Sequence, residues 1–140
     1  MSKFKSISLL LMLVLSFAFS SCCKEDDAPE DLIVGEWEMT YSAGWEMVDG
    51  ITTEWSEPRE GIFWVFYHDG KGYVQDYTIP NNRPAFFEWR ISDKRLIVNS
   101  SGEVFVYDIR SLRRSEMLID VSAYDVNYEG RWTETFTRVR

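Results

Sequence analysis

Tight-turn signals recur at short intervals along this chain, and they limit what it can fold into more than any other feature. Asp69-Gly70, the run from Pro80 to Pro84, Ser101-Gly102 and Glu129-Gly130 are all turn formers. Between them lie stretches rich in β-branched and aromatic residues, at 61–68, 72–79, 85–91, 95–100, 103–112, 117–128 and 131–140, with a further one at 32–43. No stretch beyond the N-terminal apolar segment repeats its apolar positions with a helical period. Short connections join strands that pair. The chain is therefore expected to be all-β: an antiparallel up-and-down β-barrel of about 8–10 strands, or else an open sandwich of the same strands. Residues 42–60 are less regular and hold either a hairpin around Asp49-Gly50 or a long loop carrying Trp45 and Trp55.

Successive strand residues point to opposite faces. One face collects Trp37, Met39, Tyr41, Trp64, Phe66, Tyr73, Tyr77, Ile79, Phe87, Trp89, Ile91, Leu96, Val98, Phe105, Tyr107, Ile109, Ile119, Val121, Trp132 and Phe136 as the expected core. A domain over 32–140 of that composition buries roughly two thirds of its unfolded surface and stands without disulfide or metal. Both cysteines, Cys22 and Cys23, precede it.

The N-terminus has the parts of an export signal: Lys3 and Lys5, then a 13-residue apolar run from Ile7 to Phe19, then Ser20 and Ser21. A permanent membrane span needs roughly 20 apolar residues. With the cysteine that follows, this segment resembles a bacterial lipoprotein signal peptide, Phe19-Ser20-Ser21-Cys22 standing as the lipobox. The resemblance implies cleavage after residue 21 and attachment of fatty acyl chains such as palmitate at Cys22, so that the membrane is a partner of the mature chain. Residues 22–31 are polar and acidic and read as a flexible tether. Within them, Lys24-Glu25-Asp26 resembles the Lys-acid-acid signal of surface-exported Bacteroidetes lipoproteins. An outer-membrane, surface-exposed location is expected, with a periplasm-facing one as the alternative.

Losing Lys3 and Lys5 takes the net charge from −8 to −10. So acidic a surface excludes nucleic acid as a partner, since phosphate recognition needs clustered cations. Chemistry-bearing constellations are scarce. His68 is the sole histidine, and no triad, P-loop or zinc pattern accompanies it, so neither catalytic residues nor a metal or other cofactor is expected. Glu134, on the inward face, is the one acid worth following.

Gly35-Glu36-Trp37 opens the first strand, and Phe136-Thr137-Arg138 lies near the end of the chain. Together with length and strand number, these features resemble the lipocalin pattern, and specifically the small lipocalin-like lipoproteins of Bacteroidetes. The resemblance implies that Trp37 plugs the closed end of a barrel and that Arg138 packs over its ring. It also implies an interior site for a small, largely apolar ligand, for which Tyr41, Trp64, Tyr77, Trp89, Tyr107 and Trp132 are the candidate lining. The alternative is a barrel filled by these rings, serving as a non-enzymatic surface contact for glycan or protein.

Overall fold

The computed structural model describes residues 27–140. The expected signal segment, Cys22 and Lys24-Glu25-Asp26 lie outside the described residues. A short helix, α1 (Pro29–Ile33), has Pro29 at its start, where a missing N–H costs nothing, and acids in its first turn. It overlaps the end of the segment expected to be tether, and its Ile33 is fully buried.

Nine strands follow: β1 (Gly35–Val48), β2 (Ile51–Pro58), β3 (Ile62–Phe66), β4 (Lys71–Asp76), β5 (Ala85–Ser92), β6 (Arg95–Ser100), β7 (Glu103–Leu112), β8 (Glu116–Asp125) and β9 (Tyr128–Arg138). All pairings are antiparallel. From β3 to β9 each strand pairs with the next, β1 pairs with β3, and β1 also pairs with β9 along almost its whole length. That last pairing closes eight strands into a barrel and excludes the open sandwich. The ninth, β2, hangs on the distal half of β1.

Residues 42–60 are thus a hairpin. Val48 opposes Ile51 across a two-residue turn, with positive φ at both Asp49 (50°) and Gly50 (80°), the conformation whose twist matches flanking strands. β2 and β3 share one edge of β1, with residues 59–61 bent between them.

Three departures from the expected strand pattern have local causes. The β1–β9 register slips between Met39 and Tyr41, so that Thr40 is an extra residue and the inward face continues as Ser42 rather than Tyr41. In β4, Phe66 opposes Gly72, which fixes Gly72 and Val74 inward and turns Tyr73 to the outside. A Cβ at Gly72 would lie 2.7 Å from the Phe87 ring, so this inward position has no room for a larger residue. The last turn falls at Val126-Asn127, ahead of the expected Glu129-Gly130, and Gly130 sits buried within β9.

The core is contiguous: Trp37, Met39, Trp64, Phe66, Phe87, Leu96, Val98, Met117, Ile119 and Phe136 are buried together with Ile33. At one end, the closed end, lie α1, the β3–β4, β5–β6 and β7–β8 turns and the C-terminus. At the other end, the mouth, lie the β1–β2, β6–β7 and β8–β9 turns and the 77–84 loop. The wall is incomplete on one side. β7 and β8 pair only from Asp108 to Leu112 and from Met117 to Asp120, so the mouth-ward parts of both strands diverge.

Candidate functional site

At the closed end, Trp37 is fully buried and donates its Nε1–H to Ile33 O at 2.8 Å. The Arg138 guanidinium lies 4.3 Å over the Trp37 ring and donates to Val34 O at 2.7 Å and to the carbonyls of Leu32 and Arg114. Burial pushes the Arg138 pKa down. Gly35 makes this approach feasible: its φ is +138°, and a Cβ there would stand 2.4 Å from Arg138 Nη1. The Gly-x-Trp sequence is therefore one geometric unit with Arg138. Buried and covered in this way, Trp37 fills the closed end of the barrel.

Toward the mouth the packing loosens. A cavity of about 410 Å³ opens where β7 and β8 diverge, lined by Met39, Trp64, Val104, Phe105, Val106, Tyr107, Val121, Ser122, Ala123, Trp132 and Glu134. A neighbouring hollow of about 310 Å³ shares Met39, Trp132 and Glu134 and is more polar, with Ser42, Glu46, Arg59 and Tyr128 beside Ile62 and Trp55 in its walls. Trp55 of β2 covers this side. Its Nε1–H donates to Ser42 Oγ at 3.0 Å and its ring sits 5.9 Å from that of Trp132. Trp55 is thus packed against the barrel rather than free on its surface. Trp45 lies on the opposite, outward parity of β1.

Polar groups in the cavity are few and incompletely paired. Trp64 is 7 % exposed, and its Nε1–H is buried with no hydrogen-bond partner, an uncommon state for an indole N–H. Its ring meets those of Tyr107 (5.6 Å) and Phe136 (5.5 Å) edge-on. Glu134 accepts the Trp132 Nε1–H at 3.0 Å through one oxygen. Burial raises the Glu134 pKa, while the Trp132 hydrogen bond and the field of Arg59 pull it back. Burial, together with the Glu134 charge, pushes the Tyr107 hydroxyl up to about 12. Arg59 itself is ion-paired to Glu57 at 2.8 Å.

Of the six candidate lining residues, three meet in this cavity: Trp64, Tyr107 and Trp132. Trp89 faces inward but near the closed end, its ring edge-on to Phe66 and its Nε1–H on Lys71 O. Tyr41 and Tyr77 are corrected. The Thr40 bulge turns Tyr41 outward, where its hydroxyl bonds Ser56. Tyr77 follows the end of β4, is 70 % exposed and packs on the outer face of Phe63. Tyr73 and Ile79, expected in the core, likewise stand outside it, Ile79 in the exposed 77–84 loop. Sequence reasoning did not find Ser42 and Arg59, because a bulge and a bend between strands decide which way they face. Met39 and Phe105 had been placed on the inward face without being assigned to a site.

His68 is exposed in the β3–β4 turn. Among the described residues, no three His, Cys, Asp or Glu side chains gather as a metal site would require. A slightly larger hollow, about 440 Å³, lies against Phe86, Phe87 and the β6–β7 turn. It is more open to solvent and has no buried unpartnered polar atom in its wall, so the chemistry favours the cavity at Glu134.

No family model matches this chain, and no curated protein matches it. Among solved structures, the fold is similar to a lipocalin-like protein from Bacteroides uniformis, with a TM-score of 0.53 and 9 % identity over 76 % of this chain and 98 % of that one. An uncharacterized protein from Bacteroides eggerthii aligns over 73 % of this chain and 98 % of that one, with a TM-score of 0.44 and 8 % identity. The first likeness, together with the eight-strand closure, makes the fold lipocalin-like.

Proposed function

We propose that this protein is a membrane-anchored binding protein that holds a small, largely apolar ligand in the cavity between β7, β8 and β9. One observation carries the reading: an aromatic-walled space of about 410 Å³, of the size ordinary small-molecule sites have. A core that merely filled the barrel would leave no such volume.

Native mass spectrometry of the protein purified from its own cells tests this. The expected result is a retained non-covalent mass that disappears on denaturation. An empty cavity that also fails to take up apolar probes added afterwards would count against a ligand site.

Anchoring belongs to the same proposal. Acyl chains on Cys22 contribute about 0.8 kcal/mol per buried CH₂, and two or three chains make attachment stable. Cys22→Ala should release the protein from the outer-membrane fraction. Protease shaving of intact cells distinguishes surface exposure, supported by Lys24-Glu25-Asp26, from a periplasm-facing domain.

A second reading, a surface contact module for glycan or protein, is supported by an outward aromatic row in which the Tyr73 ring lies 6.3 Å from Tyr67 and 6.1 Å from the exposed Phe86. Under that reading Tyr73→Ala with Phe86→Ala abolishes binding to cell-surface material, while probe uptake by the cavity is absent in the parent protein.

A further inference from the structure

The cavity contains one ionisable carboxyl group, and among the described residues no cation is paired with it: only the field of Arg59 reaches Glu134, from the neighbouring hollow. No Lys or Arg lines the space, no cation lies within ion-pair distance of Glu134 among the described residues, and the nearby Arg59 is engaged with Glu57 at 2.8 Å. One Glu134 oxygen holds the Trp132 Nε1–H, and the other has no hydrogen-bond partner among the described residues. Around this carboxylate stand the rings of Trp64, Phe105, Tyr107 and Trp132.

Resting on the ligand-site reading above, we infer that the ligand is an amphiphilic amine, whose ammonium group sits between Glu134 and the aromatic walls while its apolar body occupies the side of the cavity formed by Met39, Phe105 and Val121. Three kinds of head group can be compared. A carboxylate would satisfy the donors of Trp64 and Tyr107 but would bring a second negative charge into a desolvated space beside Glu134, and like charges there repel strongly. A neutral head would leave the Glu134 carboxylate with only the Trp132 hydrogen bond and the field of Arg59, which lies beyond ion-pair distance. An ammonium supplies the missing counter-charge, gives Glu134 a charge-assisted hydrogen bond and meets the negative faces of the rings. The donors on Trp64 and Tyr107 are neutral groups, and what one of them gains from an acceptor is smaller than what an ionised pair gains, so Glu134 decides the sign. The net charge of −10 carried by residues 22–140 favours approach of a cation and disfavours an anion.

Quenching of intrinsic tryptophan fluorescence by three probes of equal chain length, octylamine, octan-1-ol and octanoate, tests the inference at neutral pH. Octylamine should bind about tenfold or more tightly than octan-1-ol, and octanoate more weakly than either. Glu134→Gln, whose amide can still accept from Trp132, should erase the preference of amine over alcohol, with a single cooperative melting transition showing that the variant is folded. If octan-1-ol or octanoate binds as tightly as octylamine in the parent protein, the amine assignment falls and the apolar site stands. If none of the three binds, the site itself falls with it. Because the parent protein alone discriminates among the probes, the result does not depend on the variant.

Discussion

Arg138 and Trp37 are held by the same turn of chain: Trp37 Nε1 donates to Ile33 O, while the Arg138 guanidinium, 4.3 Å above the indole, donates to Leu32 O and Val34 O on either side of it. The two ends of the domain are thus fastened through three consecutive carbonyls at the end of α1. Trp37→Ala opens a cavity in a fully buried site and should cost about 3–5 kcal/mol. Arg138→Ala leaves the carbonyls of Leu32, Val34 and Arg114 short of a donor and should cost about 2–4 kcal/mol. Urea unfolding of both variants checks the values, and their double variant should lose less than the sum, because the two side chains pack on each other.

Two glycines with positive φ separate backbone strain from steric crowding. At Gly50 (φ +80°) an added Cβ meets nothing within 4 Å, so Gly50→Ala should cost only the left-handed backbone penalty, about 1–2 kcal/mol. At Gly35 (φ +138°) the same change adds a collision with Arg138 Nη1 and with Arg140 O at 2.5 Å. Gly35→Ala should therefore be the more damaging, and the ordering of the two melting temperatures is the measurement.

The two titratable groups of the cavity both hold their protons more tightly in the folded state than in the unfolded chain. Glu134 has a folded pKa above the ordinary 4.5, so the native protein keeps a proton that the unfolded chain has released. Its contribution to stability is greatest at acid pH, is lost as pH rises above 4.5, and levels off beyond the folded value. For Tyr107 the corresponding loss lies between the ordinary 10 and about 12. Glu134→Gln should flatten the first decline and Tyr107→Phe the second, as read from thermal melts across pH.

The seam between β7 and β8 should be visible in amide exchange. Residues 117–120 have ladder partners on both sides, whereas residues 121–125 pair only with β9. Amides of 121–125 that point away from β9 should exchange much faster than those of 117–120. Equal protection along the whole of β8 would mean that the wall is closed in solution.

Strand number and order were largely legible in the sequence, because turn formers and period-two alternation are local signals, whereas closure into a barrel rather than an open sandwich depends on the non-local β1–β9 pairing. The closed-end pair Trp37 and Arg138 was approached through motif and parity together. The mouth was not so accessible. Parity propagates along a strand only until an extra residue intervenes, and Thr40, with no chemical mark of its own, shifts Tyr41 out and Ser42 in. The orientation of Tyr73 was hidden for a related reason. Hairpin register is set by the turn ahead of β4, and a tyrosine there looks like core unless Gly72 is recognised as the inward residue leaving space for Phe87. Glu134 was singled out from its inward parity, yet its significance comes from what is missing around it, which no single sequence displays.

The chain enters the fold beside α1, and Asp27 is ion-paired at 3.1 Å to Arg114 in the β7–β8 turn. Both belong to the closed end. Five residue steps separate Cys22 from Asp27, and fully extended they reach at most about 18 Å. Were Cys22 the acylated residue proposed above, a leash so short at that pole would turn the opposite pole, with Trp55 and Glu134, to the aqueous side. The proposed ligand would then arrive from solution rather than from the leaflet.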